Sequence, residues 1–536
     1  MPEARCIVTF EPSGDRVEVD AGATLRTAAA RAGVPLAAPC GGLAACGGCA
    51  VQASGGLEPA GADEHDLLSP GALASGARIA CRARVRGDVT VRPLRSVPPA
   101  ELRIVESGDL GEVSVEPPER RGLFGPEPLL GAVVDVGTTT VVVSLVDLRT
   151  GETLGSASAL NPQHPFGDDV LSRISNAAAS GVEALRRPVV GTIEDLALEL
   201  VRAAGVGPDH LREIAVAGNT TMLHLLLGFD PAPLGVAPYE PARLDAVDRP
   251  AAELGFIHLG KAGAYVLPGI SAFLGADITA GLLTTRLAER ESAALFVDLG
   301  TNGEIVLRAH DRFVGASTAA GPALEGASIE YGMLAETGAI ERVSFDGSSL
   351  VLGTIGDAPA TGICGSGLID LVGVLLETGV VDRDGLMHAD VPSVLATRVS
   401  TRDGVRAFEV APGVYLTQRD IRQVQLASAA VATGIDLLLE SAGIGRADVA
   451  EVVFGGGFGL HVRADALARM GMIPEAWRDR VTYAGNTSLA GTTRALLDRG
   501  QRRLAAAIAH HVETIDLAAH PEFQERFIRA LEFPAR

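Results

Sequence analysis

Polar and apolar positions alternate at the start of the chain. In RCIVTFEPSGDRVEVDAG (residues 5–22) two period-two stretches flank Ser13 and Gly14, which predicts a β-hairpin. ATLRTAAARAGV (23–34) then carries apolar residues at helical spacing, with Gly33 as its stop. GCAVQASGGL (48–57) reverts to a strand pattern. The opening order is therefore strand, strand, helix, glycine-rich loop, strand.

The pattern lapses over residues 91–131, which are proline-rich and charged with little periodicity. They read as a linker with a strand near Leu102–Val105, or equally as an ordered connection lying along the next domain. Beyond it come apolar strands broken by glycine turns, and the pattern repeats. AVVDVGTTTVVVSLVDLRTGE begins at Ala132 and ALFVDLGTNGEIVLRAHDR at Ala294, so Asp135 and Asp298 are matching acids. IAVAGNTTMLHLLLG (214–228) and VVFGGGFGLHV (452–462) form a second pair, each a buried strand feeding a glycine turn and a helix. YAGNTSLAGT (483–492) echoes the first of these, AGNTS against AGNTT. Two such units in matching context predict two similar α/β lobes facing a cleft.

Length and charge narrow the class. At 536 residues the chain calls for about three domains. A net charge of −21 argues against nucleic acid or an anionic membrane as main partner. MPEARCIVTF lacks the basic-then-apolar pattern of a signal peptide. The uncharged run from Ala32 to Leu57 is long enough to span a bilayer, but its seven glycines, two prolines and three cysteines reject a membrane helix. A cytoplasmic chain is expected, where clustered cysteines more often bind metal than form disulfides.

Cys40, Cys46 and Cys49 are spaced C-x5-C-x2-C, and Cys81 follows after 31 residues. Zinc sites tend to join two close pairs, and no second pair exists here. Three ligands on one loop and a distant fourth is the plant-type ferredoxin arrangement, with one extra residue in the first gap. Gly41, Gly42, Gly47 and Gly48 would let such a loop wrap a cluster closely. Zinc and a disulfide stay open as alternatives. Cys6, in an apolar strand, and Cys364, in a glycine turn, read as packed thiols. Residues 1–95 resemble the [2Fe–2S] ferredoxins, which implies a β-grasp domain with Cys40, Cys46, Cys49 and Cys81 as ligands.

The cleft lacks the usual phosphate signatures. There is no G-x4-G-K-[ST] loop, and Lys261, the single lysine, does not make one. GGGFG at 455–459 lies too late for a Rossmann fingerprint. Glycine turns can hold phosphates through backbone N–H groups, and an aspartate at each turn can hold Mg²⁺ or orient a water. DVGTTT, DLGTNGE and FGGGFG resemble the phosphate-1, phosphate-2 and adenosine motifs of the acetate and sugar kinase/Hsp70/actin superfamily. The resemblance implies ATP with Mg²⁺ in the cleft. Asp135, Gly137, Thr138 and Thr139 would face the phosphates from one lobe, and Asp298, Gly300, Thr301, Asn302 and Glu304 from the other. Gly455, Gly456 and Gly457 would pass close to the adenosine.

Over nearly its whole length the chain resembles the reductive activators of corrinoid-dependent enzymes, also through NPQHPFGDDVLSRI (161–174), GPALEGASIEYGM (321–333), TGICGSGLIDLVGVLLE (361–377) and PEFQERFIRALEFP (521–534). Some relatives carry a C-terminal cysteine-rich extension, whereas here no cysteine follows Cys364. The implied fold is α/β multidomain: an N-terminal β-grasp [2Fe–2S] ferredoxin domain (1–95), a linker (96–128), and a two-lobed actin-like (ASKHA) α/β domain with lobe I over 129–290 and nucleotide-binding lobe II over 291–536. The implied activity is ATP-dependent transfer of an electron from the [2Fe–2S] cluster to Co(II) corrinoid, restoring Co(I). Its partners would be the corrinoid protein of a methyltransferase system and an electron-donating reductase or ferredoxin; a homodimer is left open. Plant-type clusters lie near about −400 mV. ATP would offset the uphill transfer, since each 59 mV of deficit costs about a factor of ten for one electron.

The 317–333 loop is expected at the cleft near the corrinoid protein, with Glu325, Ser328 or Glu330 reaching cobalt or water, unless it is only a buried turn between lobes. In NPQHPFGDDVLSRI, Asp168 reads as a helix N-cap, with Asn161, Gln163 and His164 as weak site candidates. Two other readings compete. One is an ATP-dependent electron-transfer activator of another metalloenzyme, and the other is a nucleotide-binding redox carrier that does not hydrolyse.

Overall fold

Alternation at the N-terminus does produce paired strands. The computed structural model describes residues 5–34, 36, 42, 44, 47–94, 114–116, 125, 127–300, 302–326, 328–402, 404–456 and 462–535. The strand expected near Leu102–Val105 lies outside these residues. Two compact units emerge. One comprises Met1–Ala100, Leu160–Thr192 and His224–Ala242, and the other Glu101–Ala159, Ile193–Leu223 and Arg243–Arg536. Two segments of the middle region thus group with the N-terminal residues, so the units do not follow the linear boundaries at 95, 128 and 290.

In the first unit β1 (Arg5–Phe10) pairs antiparallel with β2 (Arg16–Asp20). Helix α1 (Leu25–Ala32) is capped by Thr24, and it ends at Gly33, whose φ of +68° is the left-handed stop the sequence asks for. Strand β3 (Ala50–Leu57), short helices α2 (Ala62–Leu67) and α3 (Pro70–Ala74), edge strand β4 (Ala77–Ile79) and β5 (Val85–Pro93) complete a sheet of order β2-β1-β5-β3-β4. Val8, Phe10, Leu25, Val51 and Ile79 fill its core. Helix α4 (Val170–Ser180) also belongs to this unit. Asp169, not Asp168, caps it, because its carboxylate accepts from Ser172 N three residues on at 2.8 Å, while Asp168 pairs with His164.

The second unit is built on two sheets of like plan. In the first, β6 (Leu130–Val136) pairs antiparallel with β7 (Thr140–Asp147), followed by β8 (Thr153–Leu160). After α5 (Val182–Ala203), β9 (Leu211–Gly218) joins β6 in parallel and feeds α6 (Thr220–Leu227). Strands β10 (Val247–Pro250) and β11 (Gly263–Val266) give the order β10-β11-β9-β6-β7-β8. Helix α7 (Ala276–Thr284) leads to the second sheet. There β12 (Ala293–Leu299), β13 (Gly303–Ala309) and β14 (Arg312–Thr318) form the matching meander.

Two three-stranded sheets are inserted next: β15 (Ala339–Phe345), β16 (Leu350–Thr354) and β17 (Gly362–Ile363), then, after α8 (Gly365–Thr378), β18 (Val399–Arg402), β19 (Val405–Ala411) and β20 (Val414–Thr417). Helix α9 (Gln418–Ala442) is apolar and long enough to cross a membrane, but it is a core helix, with Ile421, Val424, Val431 and Leu438 buried. Strand β21 (Val449–Gly455) joins β12 in parallel. Helix α10 (Ala464–Arg469), β22 (Val481–Tyr483), α11 (Thr487–Leu497), α12 (Arg499–His511), β23 (Val512–Thr514) and α13 (Phe523–Ala530) follow. The second sheet is ordered β22-β21-β12-β13-β14-β23. Helix α11 leaves this sheet and packs on α7, β9 and β6. Its crossing with α7 is backbone on backbone: a Cβ at Gly491 would stand 1.9 Å from Ala280 O.

Candidate functional site

The strand register of the first unit brings two cysteines together. Ala50 of β3 faces Ile79 of β4, and Ala80 N donates to Cys49 O at 3.0 Å. Cys49 and Cys81 flank this pair, and both are buried. A hydrogen bond from Cys81, aided by the backbone N–H groups of Cys81, Cys49 and Ala80, pulls the Cys49 thiol down to about 6 against the cost of burial. A buried sulfur surrounded by N–H donors is what a thiolate ligand of iron requires. Cys40, Cys46 and Gly41 lie outside the described residues. Behind β4, Arg78 clasps Glu64 through two hydrogen bonds of 2.8 Å, and Ile79 N donates to Glu64 Oε1 at 3.0 Å. This buried pair fixes the strand that delivers Cys81. Cys6 is buried in β1, and Cys364 is buried with its thiol pushed up by desolvation, as packed thiols should be.

In the second unit the two glycine hairpins converge on one cavity of about 220 Å³. Asp135 and Asp298 hold equivalent ladder positions. Asp135 pairs with Val142 across β7 and Ala217 across β9. Asp298 pairs with Glu304 across β13 and Gly455 across β21. Gly137 N donates to Thr140 O and Gly300 N to Asn302 O, both at 2.9 Å. These glycine N–H groups close the hairpins, and Gly137 and Gly300 line the cavity together with Thr138, Thr139 and Asn302. Gly456 lines it as well. Thr301 and Gly457 lie outside the described residues.

Glu325, at the end of a 3₁₀ turn, reaches the same cavity: a Cβ at Gly300 would lie 3.6 Å from its Oε1. Ser328 and Glu330 of that loop are exposed, and Glu330 N donates to Asp420. Asn161 and Gln163 are fully buried and brace their own loop: Gln163 N donates to Asn161 Oδ1 at 2.9 Å, and Arg173 donates to Gln163 Oε1 at 3.2 Å.

Four further groups were not singled out in the sequence. Asp277, at the start of α7, lines the cavity, as do Asn219, Asn486 and Ser488. Ser488 Oγ donates to Asp135 Oδ1 at 2.7 Å and Asn486 Nδ2 to Asp135 Oδ2 at 3.0 Å. The AGNTT/AGNTS echo was the signal for the two asparagines. Nothing in the pattern marks Asp277 beyond an acid in the first turn of a helix.

The cavity is strongly acidic. Desolvation, then repulsion from Asp277, Asp135 and Glu325, raises Asp298 to about 8. Desolvation and Asp135 raise Asp277 to about 7. Glu304 is pushed well above the usual carboxylate range by desolvation, Asp277 and Asp298. Asp135 is raised by desolvation, with Ser488 and Asn486 opposing. No basic side chain is among the described residues lining the cavity. Such a site favours a cation that brings its own anionic ligand.

Residues 8–86 match the 2Fe-2S iron-sulfur cluster binding domain, residues 130–290 the RACo middle region, and residues 292–536 the C-terminal domain of RACo, the ASKHA domain. The chain is similar to the corrinoid activation enzyme RamQ of Eubacterium limosum, with 33% identity over 419 residues that cover 75% of this chain and 70% of the relative. It is 27% identical over 405 residues to the [Co(II) methylated amine-specific corrinoid protein] reductase of Methanosarcina barkeri, covering 70% of this chain and 71% of the relative. The solved structure of a reductive activator for corrinoid, iron-sulfur protein superposes with a TM-score of 0.71 at 28% identity, covering 99% of this chain and 98% of that one.

Proposed function

This chain belongs to the family of reductive activators of corrinoid proteins, and from that premise we propose that it returns Co(II) corrinoid on a partner protein to Co(I), one electron per event, at the expense of ATP. The observation that carries the ATP half of this reading is the convergence of both Asp-Gly hairpins, with Asp277 and Glu304, on a single acidic cavity.

ATP is the substrate of that cavity. Thr138, Thr139 and Asn302 offer hydroxyl and amide groups to phosphate oxygens, and Gly456 supplies a side-chain-free turn beside the nucleoside, with Gly455 packed behind it on Phe296 and Thr487. Mg²⁺ fits the donor set. Carboxylates crowd the cavity, yet the described residues do not close an all-protein cage, which suits an ion that keeps waters and shares phosphate oxygens. Asp135, Asp298 or Glu304 would offer it a carboxylate in company with waters and phosphate oxygens, and it would neutralise phosphate charge. Asp277 and Glu325 remain to orient water.

The first unit is the electron inlet. When bound, the [2Fe–2S] cluster supplies single-electron chemistry at low potential. Cys49 and Cys81 offer buried sulfurs to it, and the Glu64–Arg78 clasp keeps Cys81 in place. A reductase or ferredoxin would deliver the electrons. Reduction of Co(II) corrinoid is uphill, and ATP offsets it by linkage: a protein that binds Co(II) partner in one lobe arrangement and releases Co(I) partner in another needs only a few kcal/mol of coupling.

The test mixes reduced protein, a Co(II) corrinoid protein and MgATP. Growth of Co(I) absorbance that requires ATP is expected. Co(I) formed equally without ATP, or never formed with any corrinoid-binding partner, would overturn the reading.

A further inference from the structure

The two copies of the AGNT motif act on the same hairpin. Asn219 and Asn486 each precede a helix, α6 and α11, and each accepts from that helix at Oδ1: Met222 N at 2.9 Å and Leu489 N at 2.8 Å. Capping fixes the rotamer, so each Nδ2 is aimed rather than free to turn. Asn219 Nδ2 donates to Thr138 Oγ1 at 2.9 Å, and Asn486 Nδ2 donates to Asp135 Oδ2 at 3.0 Å. Ser488 Oγ holds the other carboxylate oxygen at 2.7 Å. Neither asparagine can shift alone. A Cβ at Gly275 would stand 2.5 Å from Asn219 Cα, and α11 is locked to α7 at Gly491.

We infer that the repeated AGNT motif is a positioning device for the nucleotide: Asn486 with Ser488 sets Asp135, and Asn219 sets Thr138. This rests on the nucleotide reading above and adds residues to it. The two contacts differ in kind. Thr138 carries a hydroxyl, which can donate or accept, so it can adapt to a carboxylate opposite it. Asp135 is ringed by acids and accepts only, so it needs a donor from Asn486. Chain order gives Asn486 a second part. It stands between β22, in the second sheet, and α11, which packs on the first. A displacement between the sheets therefore acts on a carboxylate that lines the nucleotide cavity.

Aspartate and serine cap helices about as well as asparagine, which separates capping from positioning. The experiment compares full-length Asn486→Asp, Asn486→Ser and Asn219→Asp with the unaltered protein, by calorimetric titration with MgADP and by melting without nucleotide. Melting temperatures of Asn486→Ser and Asn219→Asp should stay close together, while Asn486→Asp, which sets a carboxylate against Asp135, should melt somewhat lower at neutral pH. Asn486→Asp should weaken MgADP binding on the order of tenfold or more, the loss of a hydrogen bond to a charged group plus a new repulsion. Asn486→Ser and Asn219→Asp should each lose distinctly less. A merely structural role predicts the reverse for Asn486, the isosteric aspartate being tolerated better than the smaller serine, and that order would overturn the inference. So would equal losses in Asn486→Asp and Asn219→Asp. If Asn486→Asp does not fold, Ser488→Ala removes one donor alone; unchanged MgADP affinity in it overturns the assignment. An unaltered protein that binds no nucleotide would overturn the nucleotide reading itself, a distinct result.

Discussion

Gly456 lies directly against Asp298: a Cβ added to the glycine would stand 2.3 Å from Oδ1, at a backbone φ of +84°. The glycine turn after β21 and the acid of the β12–β13 hairpin are thus one packed unit. Gly456→Ala must displace the Asp298 carboxylate and also strain the backbone, which costs about 1–3 kcal/mol. Since the clash falls on a cavity residue, the variant should stay folded with a lowered melting temperature, and should lose nucleotide affinity by on the order of tenfold or more. Titration with a fluorescent nucleotide checks this; affinity equal to that of the unaltered protein would show that Asp298 does not touch the ligand.

The crowded carboxylates predict a pH dependence of stability. In the folded chain Asp277 and Asp298 are raised to about 7 and about 8. The unfolded chain releases those protons near about pH 4. Between these limits the folded state binds more protons, so stability falls as pH rises from about 4 to about 8 and levels off above that. Melting curves across that window without nucleotide should show the decline. Asp298→Asn should flatten it and MgATP should reduce it, since both remove uncompensated negative charge.

Arg463 leads out of the glycine segment that follows β21, and it is tied to α8. Its Nε donates to Asp370 Oδ1 at 2.9 Å, and its Nη2 to Val343 O at 3.1 Å. Asp370 is almost fully buried and also accepts from Val343 N at 3.1 Å. Asp370→Ala would strand Val343 N and leave Arg463 without its carboxylate, at a cost of about 2–4 kcal/mol. Denaturant unfolding should show that loss. Nucleotide affinity should fall with it, because Arg463, seven residues on from the cavity-lining Gly456, loses its hold on α8.

Much of this organisation is legible in the sequence because it depends on neighbours along the chain. Period-two alternation gave β1 and β2, Gly33 ended α1 where a left-handed residue was needed, and the repeated Asp-Gly hairpins placed Asp135 and Asp298 at equivalent rungs of two like sheets. What escaped depends on distant partners. Asp277 faces the cavity only because α7 runs between the two sheets. Asn486 reaches Asp135 only because α11 crosses back to the first sheet, although the shared AGNT letters already set it beside Asn219. The cap of α4 fell to Asp169 rather than Asp168, since spacing to Ser172 decides it and the choice between adjacent acids cannot be made from composition. The Glu64–Arg78 clasp pairs a residue of α2 with one of β4 across the intervening α3, where no periodicity marks them.

Arg26, on α1, stands between Gly42 and Pro165 within the first unit. A Cβ at Gly42 would meet its guanidinium carbon at 2.8 Å, and its Nη1 donates to Pro165 O. Pro165 sits in a loop stiffened by buried Asn161, Gln163 and Arg173, so the guanidinium is held from a rigid side. It covers Gly42, which lies two residues from Cys40 in sequence. Arg26→Ala should open Gly42 to solvent. With the cluster loaded, bleaching of its visible absorbance by a ferrous chelator should then run several-fold faster, whereas Arg26→Lys, which keeps the stem and one donor, should fall between. Equal bleaching rates in all three proteins would show that Arg26 braces the two loops without shielding the cysteine loop.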